Sequence, residues 1–529
     1  MARYTKRYLA RPLLITAIVF LLVAGFIIKK ILYYSADPVG EKDCPPIGGG
    51  QGTQEPSTTD IAYPPSVHWE QKGGTVDDSS CLDRTMVYGI VDVKSEKDVS
   101  DAISFARAHN LKVSIAGVRH SQGGQAFAKD AVVLDMRNFN SVSLDEKNKT
   151  ITVGSGATWH QIQEQLHPKY AIKAMQSTDI FSVGGSISVN AHGMDHQAGS
   201  VGDTLVSVTV MLPDGRIVRT YPQEDLFRHV VGGYGLFGVI LKAEVRVADN
   251  VIYESGRSII KTSDFPAQWK DIEANKDLGL FYAHLSTSPV SLLDEAILYT
   301  YTKTDVDPLL SPPLGEVSSV KLRRLTINLS KLGALPMMFK WWSEKYIEPK
   351  IESCEISRNE AQKSGEGCLV SRNEPMHDSV PYLRNNLKND TDILHEYFIP
   401  RAEILPFIAD MRRIFKDNGT NILNVSIRVV HKEDIALNYA PEDAFSVVLY
   451  INQTTDASGN AKMQKVTGEL IDATIAHGGR FFLPYQLYYT PAQLRASYPE
   501  IDSFFDAKRQ YDPQGLLTNT WYETYGTKS

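Results

Sequence analysis

Ile115-Ala116-Gly117-Val118-Arg119-His120-Ser121-Gln122-Gly123-Gly124 is the stretch on which the reading of this chain turns. It follows an apolar, β-branched run directly and combines three glycines with Arg119, His120, Ser121 and Gln122. Glycine leaves backbone N–H groups free to converge, and with a fixed positive charge beside them they suit an anion such as a pyrophosphate. A plain surface turn is the competing reading. A second cluster, Gln176 to Gly193 (QSTDIFSVGGSISVNAHG), pairs Gly184-Gly185 with small hydroxylated residues. Two such clusters can clasp one extended ligand from both sides.

The flanking pattern is one of short strands and helices. GIVDV from Gly89 reads as a strand, Glu96 to His109 as a helix that a Ser95 N-cap opens, and KVSIAG as the next strand, which makes a βαβ unit. Strands follow at VVLDM, TITVGSG, LVSVTVML, DGRIVRT and VILKAEVRV, with a helix at TWHQIQEQL. Residues 80–250 therefore read as an α+β domain. Longer apolar and aromatic segments (FYAHLS, AILYTYT, MMFKWWSEKY) mark 251–465 as a second α+β domain that covers a site on the first. The aromatic segment 466–529 is expected to pack back on either of them.

Gly233-Tyr234-Gly235-Leu236-Phe237-Gly238 matches the GxGxxG dinucleotide fingerprint, but a helix (EDLFRHVV) precedes it and a strand follows it. The fingerprint needs the reverse order, because the helix N-terminus holds the phosphate, so a Rossmann site is rejected. His192 and His196 have HxxxH spacing, but Gly193 and the turn-like NAHG argue against the helix that would align them, and no metal is expected. No nucleophile elbow or Walker loop is present.

The chain has 529 residues, with 55 Lys+Arg against 62 Asp+Glu. That balance argues against a nucleic-acid partner. Its one compositional anomaly lies at the N-terminus, where Pro12 to Ile28 is uncharged and apolar and is followed by Lys29, Lys30 and a Tyr33-Tyr34 pair. The run reads as a single transmembrane helix closing an anchor over 1–34, with a cleaved signal peptide as the rival. Arg3, Lys6, Arg7 and Arg11 precede it, which places the N-terminus in the cytoplasm and the body outside. Residues 35–79, rich in Gly, Pro, Ser and Thr, read as a flexible tether. Cys44 with Cys81 and Cys354 with Cys368 suit two local disulfides in an oxidising compartment; four free thiols are the alternative.

In the order IAGVRHSQGGQAF, VVLDM, ITVGSGATW, VGGSISVNAHG, LPDGRIV, GGYGLFGVI, the chain resembles the FAD-binding domain of the vanillyl-alcohol-oxidase and p-cresol-methylhydroxylase (PCMH) type. The resemblance implies two small α+β subdomains holding FAD, with the second domain capping the flavin ring. By position it assigns cofactor contacts to Ile115, Ala116, Gly117, Val118, Arg119, His120 and Ser121, to Ser177, Ser182, Gly185, Val189, Asn190, Ala191 and His192, and to Ile240. His120 falls where many relatives bind the flavin covalently, although Arg119 stands in place of the usual glycine. No Cys follows the GSGATW box, so a doubly linked flavin is excluded.

Beyond Asn250 the resemblance is to sugar-alcohol and aldonolactone oxidases, with departures. Their Glu-x-Arg pair reads Ser426-Ile427-Arg428 here, and Tyr485 stands where their box after Gly-Gly-Arg has lysine. The resemblance implies hydride removal from a CH–OH group of a small alcohol or lactone-like substrate, with Arg428 and Tyr485 as the catalytic residues. It leaves O₂ and a membrane quinone open as acceptor, and leaves open a cell-surface binding protein that has lost catalysis on the same fold.

Overall fold

In the computed structural model, residues 24–37, 61–317, 319–347, 368–383, 387 and 389–527 are described. The βαβ unit forms where the β-branched runs lie. Val132–Asp135 is the middle of a four-stranded sheet, paired in parallel with Gly89–Asp92 on one side and Val113–Ala116 on the other. The intervening helix Glu96–Ala108 starts at a capping box in which Ser95 and Asp98 satisfy each other's backbone N–H groups. Its residues Val99, Ala102, Ile103 and Ala106 recur on one face and are buried.

A second, antiparallel sheet runs Ile217–Thr220, Leu205–Met211, Val239–Asp249, Thr150–Gly154, Val142–Asp145, and Tyr170–Ile172 pairs with the far end of Val239–Asp249. These two sheets are the two halves of the first domain. An antiparallel eight-stranded sheet builds the second, in the order Cys368–Ser371, Ile252–Lys261, Glu295–Lys303, Leu278–Leu285, Asn421–Val430, Ala444–Thr454, Asp390–Pro400, Arg480–Phe481.

Side chains alternate across this large sheet with period two, as the pleat requires. Ala283, Ile427, Val447 and Tyr397 are buried in the apolar core. Tyr282, His284, Ser426, Arg428, Tyr450 and Glu396 line a cavity on the other face. The polar face of an amphipathic sheet is thus turned toward a site rather than toward bulk water.

The structure corrects two boundaries. Residues 61–79 are part of the first domain and not a tether: Trp69–Lys72 adds a strand beside Gly89–Asp92, and Tyr63 and Trp69 pack with Tyr88. Local Gly and Pro content conceals an aromatic cluster whose partners lie later in the chain. The boundary drawn at 465 falls inside the helix Ala457–Ala476, and the C-terminal segment joins both domains. Arg480–Phe481 forms an edge strand of the large sheet, while Val113 N–H donates to Leu516 O (2.8 Å) and Thr518 N–H to Val113 O (2.9 Å).

Most of the expected membrane span lies outside the described residues. Its last residues enter a helix at 24–35, and among the described residues no helix is long and apolar enough to cross a membrane. Cys81 is disulfide-bonded, and no described cysteine is free.

Candidate functional site

One cavity of about 2930 Å³ runs between the domains, larger than the roughly 300–1,000 Å³ that a single drug-sized ligand occupies. Every residue proposed from sequence to contact the cofactor lines it except Ala116 and Asn190. Ala116 is turned into an apolar cluster with Val76, Ile90 and Phe127. Asn190 spends its amide on the scaffold: Nδ2 donates to Glu433 Oε1 (2.6 Å) and Oδ1 accepts from Gly202 N–H (2.8 Å). Burial pushes Glu433 up to about 8, so it is a neutral anchor at physiological pH.

Backbone approach explains the glycines of the first loop. A Cβ on Gly117 would meet Ser182 Oγ at 2.1 Å, and one on Gly123 would meet the Tyr485 carbonyl oxygen at 2.2 Å. Arg119 holds φ +59°, a left-handed conformation that glycine adopts without strain. His120 faces the cavity with Nδ1 3.0 Å from Val118 O and its ring edge-on to Phe181. The Gly233–Gly238 turn has the expected helix before it and strand after it, yet Tyr234, Gly235 and Gly238 still form part of the wall.

The capping side presents a polar cluster. Glu396, from the strand Asp390–Pro400, accepts from His192 Nε2 (2.5 Å) and from Ser446 Oγ (2.5 Å) at Oε1, and from the Tyr485 hydroxyl (3.4 Å) at Oε2. Burial opposes its ionisation, but His192, Ser446 and the Arg428 guanidinium outweigh burial and hold the carboxyl below the usual carboxylate range. Burial, reinforced by the Glu396 charge, raises Tyr485 well above the ordinary tyrosine value, so it stays protonated. Arg428 is lowered by burial and supported by Glu396, Tyr485 and Tyr282; an arginine so lowered keeps its charge. Nearby His284 is driven down to about 3 by burial and by Lys340, Arg428 and Arg257, and is therefore neutral.

Glu396 is the residue that sequence reasoning missed. Ser426 and Glu396 both pair with Val448, so they share one row of the sheet, two strands apart. Where the resemblance implies a carboxylate, this chain has Ser426, and Glu396 supplies one in the same row. The available signal was a charge within the mainly apolar segment Leu394–Ile399, since a fully buried Glu is rare unless paired. Gln122, within the quoted loop, also joins the two walls. Its Oε1 accepts from Leu394 N–H (2.9 Å) and Gln486 Nε2 (3.0 Å), and its N–H donates to Pro484 O (2.7 Å).

His192 and His196 lie on a loop and do not converge; His192 is committed to Glu396. Among the described residues, His160, Asp179 and His377 form one cluster of metal-ligand type. Its members are already hydrogen-bonded, with His160 Nδ1 2.7 Å and His377 Nδ1 2.9 Å from Asp179 Oδ2, which ties the first domain to the second.

The buried Ser155 Oγ, Ser177 Oγ, His192 Nδ1 and Arg428 Nε have no hydrogen-bond partner among the described residues, and each of these residues lines the cavity. Such polar atoms are costly unless a ligand meets them. With the glycine cradle at Gly117, they fit a long, polar, anionic group such as FAD.

Known proteins agree with this geometry. Residues 88–221 match a family model described as an FAD binding domain, and residues 340–525 match one described as D-arabinono-1,4-lactone oxidase. The decaprenylphosphoryl-β-D-ribose oxidase of Mycolicibacterium smegmatis is 23% identical, over 76% of this chain and 86% of that protein. An alditol oxidase of a Streptomyces species is 22% identical, over 72% of this chain and 81% of that protein. Among solved structures, a solvent-stable cholesterol oxidase shares the fold, with a TM-score of 0.65 at 15% identity over 88% of this chain and 99% of that one. The chain has a PCMH-type flavoprotein fold and is an FAD-linked oxidoreductase acting on CH–OH donors.

Proposed function

We propose that the protein oxidises the CH–OH group of a small alcohol held between Tyr485, Arg428 and the FAD-side loop. The observation that carries this reading is the Glu396–Tyr485–His192 hydrogen-bonded cluster beside Arg428, joined to the Ile115–Gly124 loop through Gln122. When bound, FAD supplies the acceptor for the hydride that leaves the substrate carbon. Tyr485, kept protonated by burial, accepts a hydrogen bond from the substrate hydroxyl and passes its own proton to Glu396 as it takes the substrate's. Arg428 stabilises negative charge that develops in the reaction. His192 and Ser446 keep Glu396 ionised and aimed.

His120 is proposed as the covalent attachment point. Its place in the cavity wall within the His-Ser box supports this. After acid precipitation the yellow colour is expected in the protein pellet, and in His120→Ala it is expected in the supernatant. Colour in the wild-type supernatant would refute the link.

Oxygen is the acceptor in this reading, which the oxidase names of the relatives support. A membrane quinone is the second reading, favoured by the apolar run Pro12–Ile28. We place that run across the membrane with the N-terminus in the cytoplasm, on the strength of the preceding basic residues, and the body outside, where the Cys81 disulfide is at home. A panel of alcohols scored by anaerobic flavin bleaching tests the activity. Reoxidation by air with formation of hydrogen peroxide, as against recovery only on adding a quinone, decides the acceptor. A protein that binds FAD and is bleached by no alcohol would overturn the proposal.

A further inference from the structure

The helices Val320–Ser330 and Ala334–Tyr346 form a hairpin on the second domain. Its inner face is fixed: Met337 and Trp341 are buried, and Trp341 Nε1 and Lys345 Nζ each donate to Glu295 at 2.9 Å. The outer face is apolar where a water-facing helix would be polar. Leu335, Phe339, Trp342 and Tyr346 recur at helical spacing and are 76%, 59%, 47% and 49% exposed. Phe339 contacts Trp342, and Trp342 contacts Tyr346, so the three rings make one continuous ridge. A contiguous exposed aromatic ridge marks an interaction surface.

Two further observations say what covers it. The helix at 24–35, with Phe26, Ile28 and Leu32 exposed, is held to this same hairpin: Asn328 Nδ2 donates to Tyr34 O (2.9 Å), and the buried Arg324 pairs with Asp37 (2.8 Å). In the sequence, the uncharged run that begins at Pro12 leads directly into that helix. Exposed Lys29 and Lys30 give that helix positive charge. The cavity also reaches the hairpin: Leu322 and Phe339 are more than half exposed and still line the cavity, so it meets the surface there.

We propose that the hairpin is seated in the surface of a lipid bilayer beside the N-terminal helix, and that the cavity takes a membrane-dissolved, long-chain alcohol where it meets the surface at Leu322 and Phe339. Trp and Tyr favour the headgroup level, and lysines favour anionic lipid. The substrate class rests on the alcohol-oxidising reading above; the docking does not.

The test uses full-length protein reconstituted into vesicles of phosphatidylcholine and phosphatidylglycerol. Acyl-brominated phosphatidylcholine is expected to quench tryptophan emission, and Trp342→Phe is expected to lose that quenching. Equal quenching in both proteins overturns the docking. So does absent quenching with cross-linking of two copies through the hairpin, which assigns the ridge to a second copy of the chain. Leu335→Glu/Trp342→Glu, with its flavin spectrum intact, is expected to lower kcat/KM about tenfold for a vesicle-dissolved long-chain alcohol and to leave a short water-soluble alcohol unaffected. Equal losses on both alcohols overturn the entry route. If no alcohol bleaches the flavin, the oxidoreductase reading fails, and the docking is decided by quenching alone.

Discussion

The two walls of the cavity are built differently. On the FAD side much of the lining comes from two contiguous stretches, Ile115–Gln125 and Gln176–Met194, which fold over the site through backbone turns and glycine contacts. On the capping side the polar cluster comes from four strands, with Tyr282, Glu396, Tyr450 and the pair Ser426 and Arg428 brought together by sheet register. A cofactor with a constant skeleton can be held by a contiguous loop. A substrate is held by side chains that can be exchanged singly without disturbing the fold, and a group lost from one strand can be supplied from another.

Glu396→Gln tests that last statement most severely. The substitution keeps shape and hydrogen bonding while removing the proton acceptor, so the rate of flavin bleaching by substrate is expected to fall about 10²–10⁴-fold with flavin content unchanged. Tyr485→Phe is expected to lose less, because water can replace its relay. If stopped-flow rates in Glu396→Gln equal the wild type, the capping wall only packs, and the difference between the walls disappears.

The same contrast governs what was legible in the sequence. The βαβ unit from Gly89 to Ala116 declares itself through local signals: a Ser95 cap, a 3.6-residue apolar period and β-branched runs. The site loop could be read because its chemistry is contiguous. Glu396 could not, because its meaning depends on sharing the Val448 row with Ser426, and register is invisible in a single strand. Residues 61–79 were misread for a related reason: their partners Tyr88 and Phe105 lie further along the chain. The two walls also depend on a segment that belongs to neither. Asp512 accepts from Leu516 N–H (3.0 Å) and Leu517 N–H (2.8 Å) and pairs with Lys508 in full burial, setting the Leu516–Thr518 segment against Val113. Asp512→Asn leaves a buried lysine unpaired and is expected to cost about 3–5 kcal/mol in denaturant unfolding. A loss below 1 kcal/mol would show that the C-terminal return is not what holds the walls together.

The His160–Asp179 pair beside the joint between the walls is pH-sensitive. The hydrogen bond to Asp179 raises His160, so its contribution to stability is present below its ordinary value of 6.5 and is lost as pH rises through the raised value. Burial opposes ionisation of Asp179, but His160 and His377 outweigh it and lower its pKa. That contribution is present above the ordinary 3.8 and is lost as pH falls through the lowered value. The tie is therefore at full strength between roughly pH 4 and 6.5. Thermal unfolding midpoints should decline on either side of this window, and His160→Ala should flatten the alkaline decline. An unchanged alkaline slope in that variant would assign the pH response to other groups, such as Glu433.

The smallest expected effect bears on the FAD side alone. Arg119 holds φ +59° with its carbonyl accepting from Ser79 N–H (3.0 Å), so the backbone there is fixed whatever side chain it carries. A non-glycine residue in this region costs about 1 kcal/mol, and retaining one argues that its charge returns more when the anionic cofactor is bound. Arg119→Gly is then expected to raise the stability of the flavin-free protein by about 1 kcal/mol while weakening retention of FAD. The two measurements should move in opposite directions. If both fall together, the Arg119 side chain supports the fold itself, and the FAD-side wall depends on single side chains just as the capping wall does.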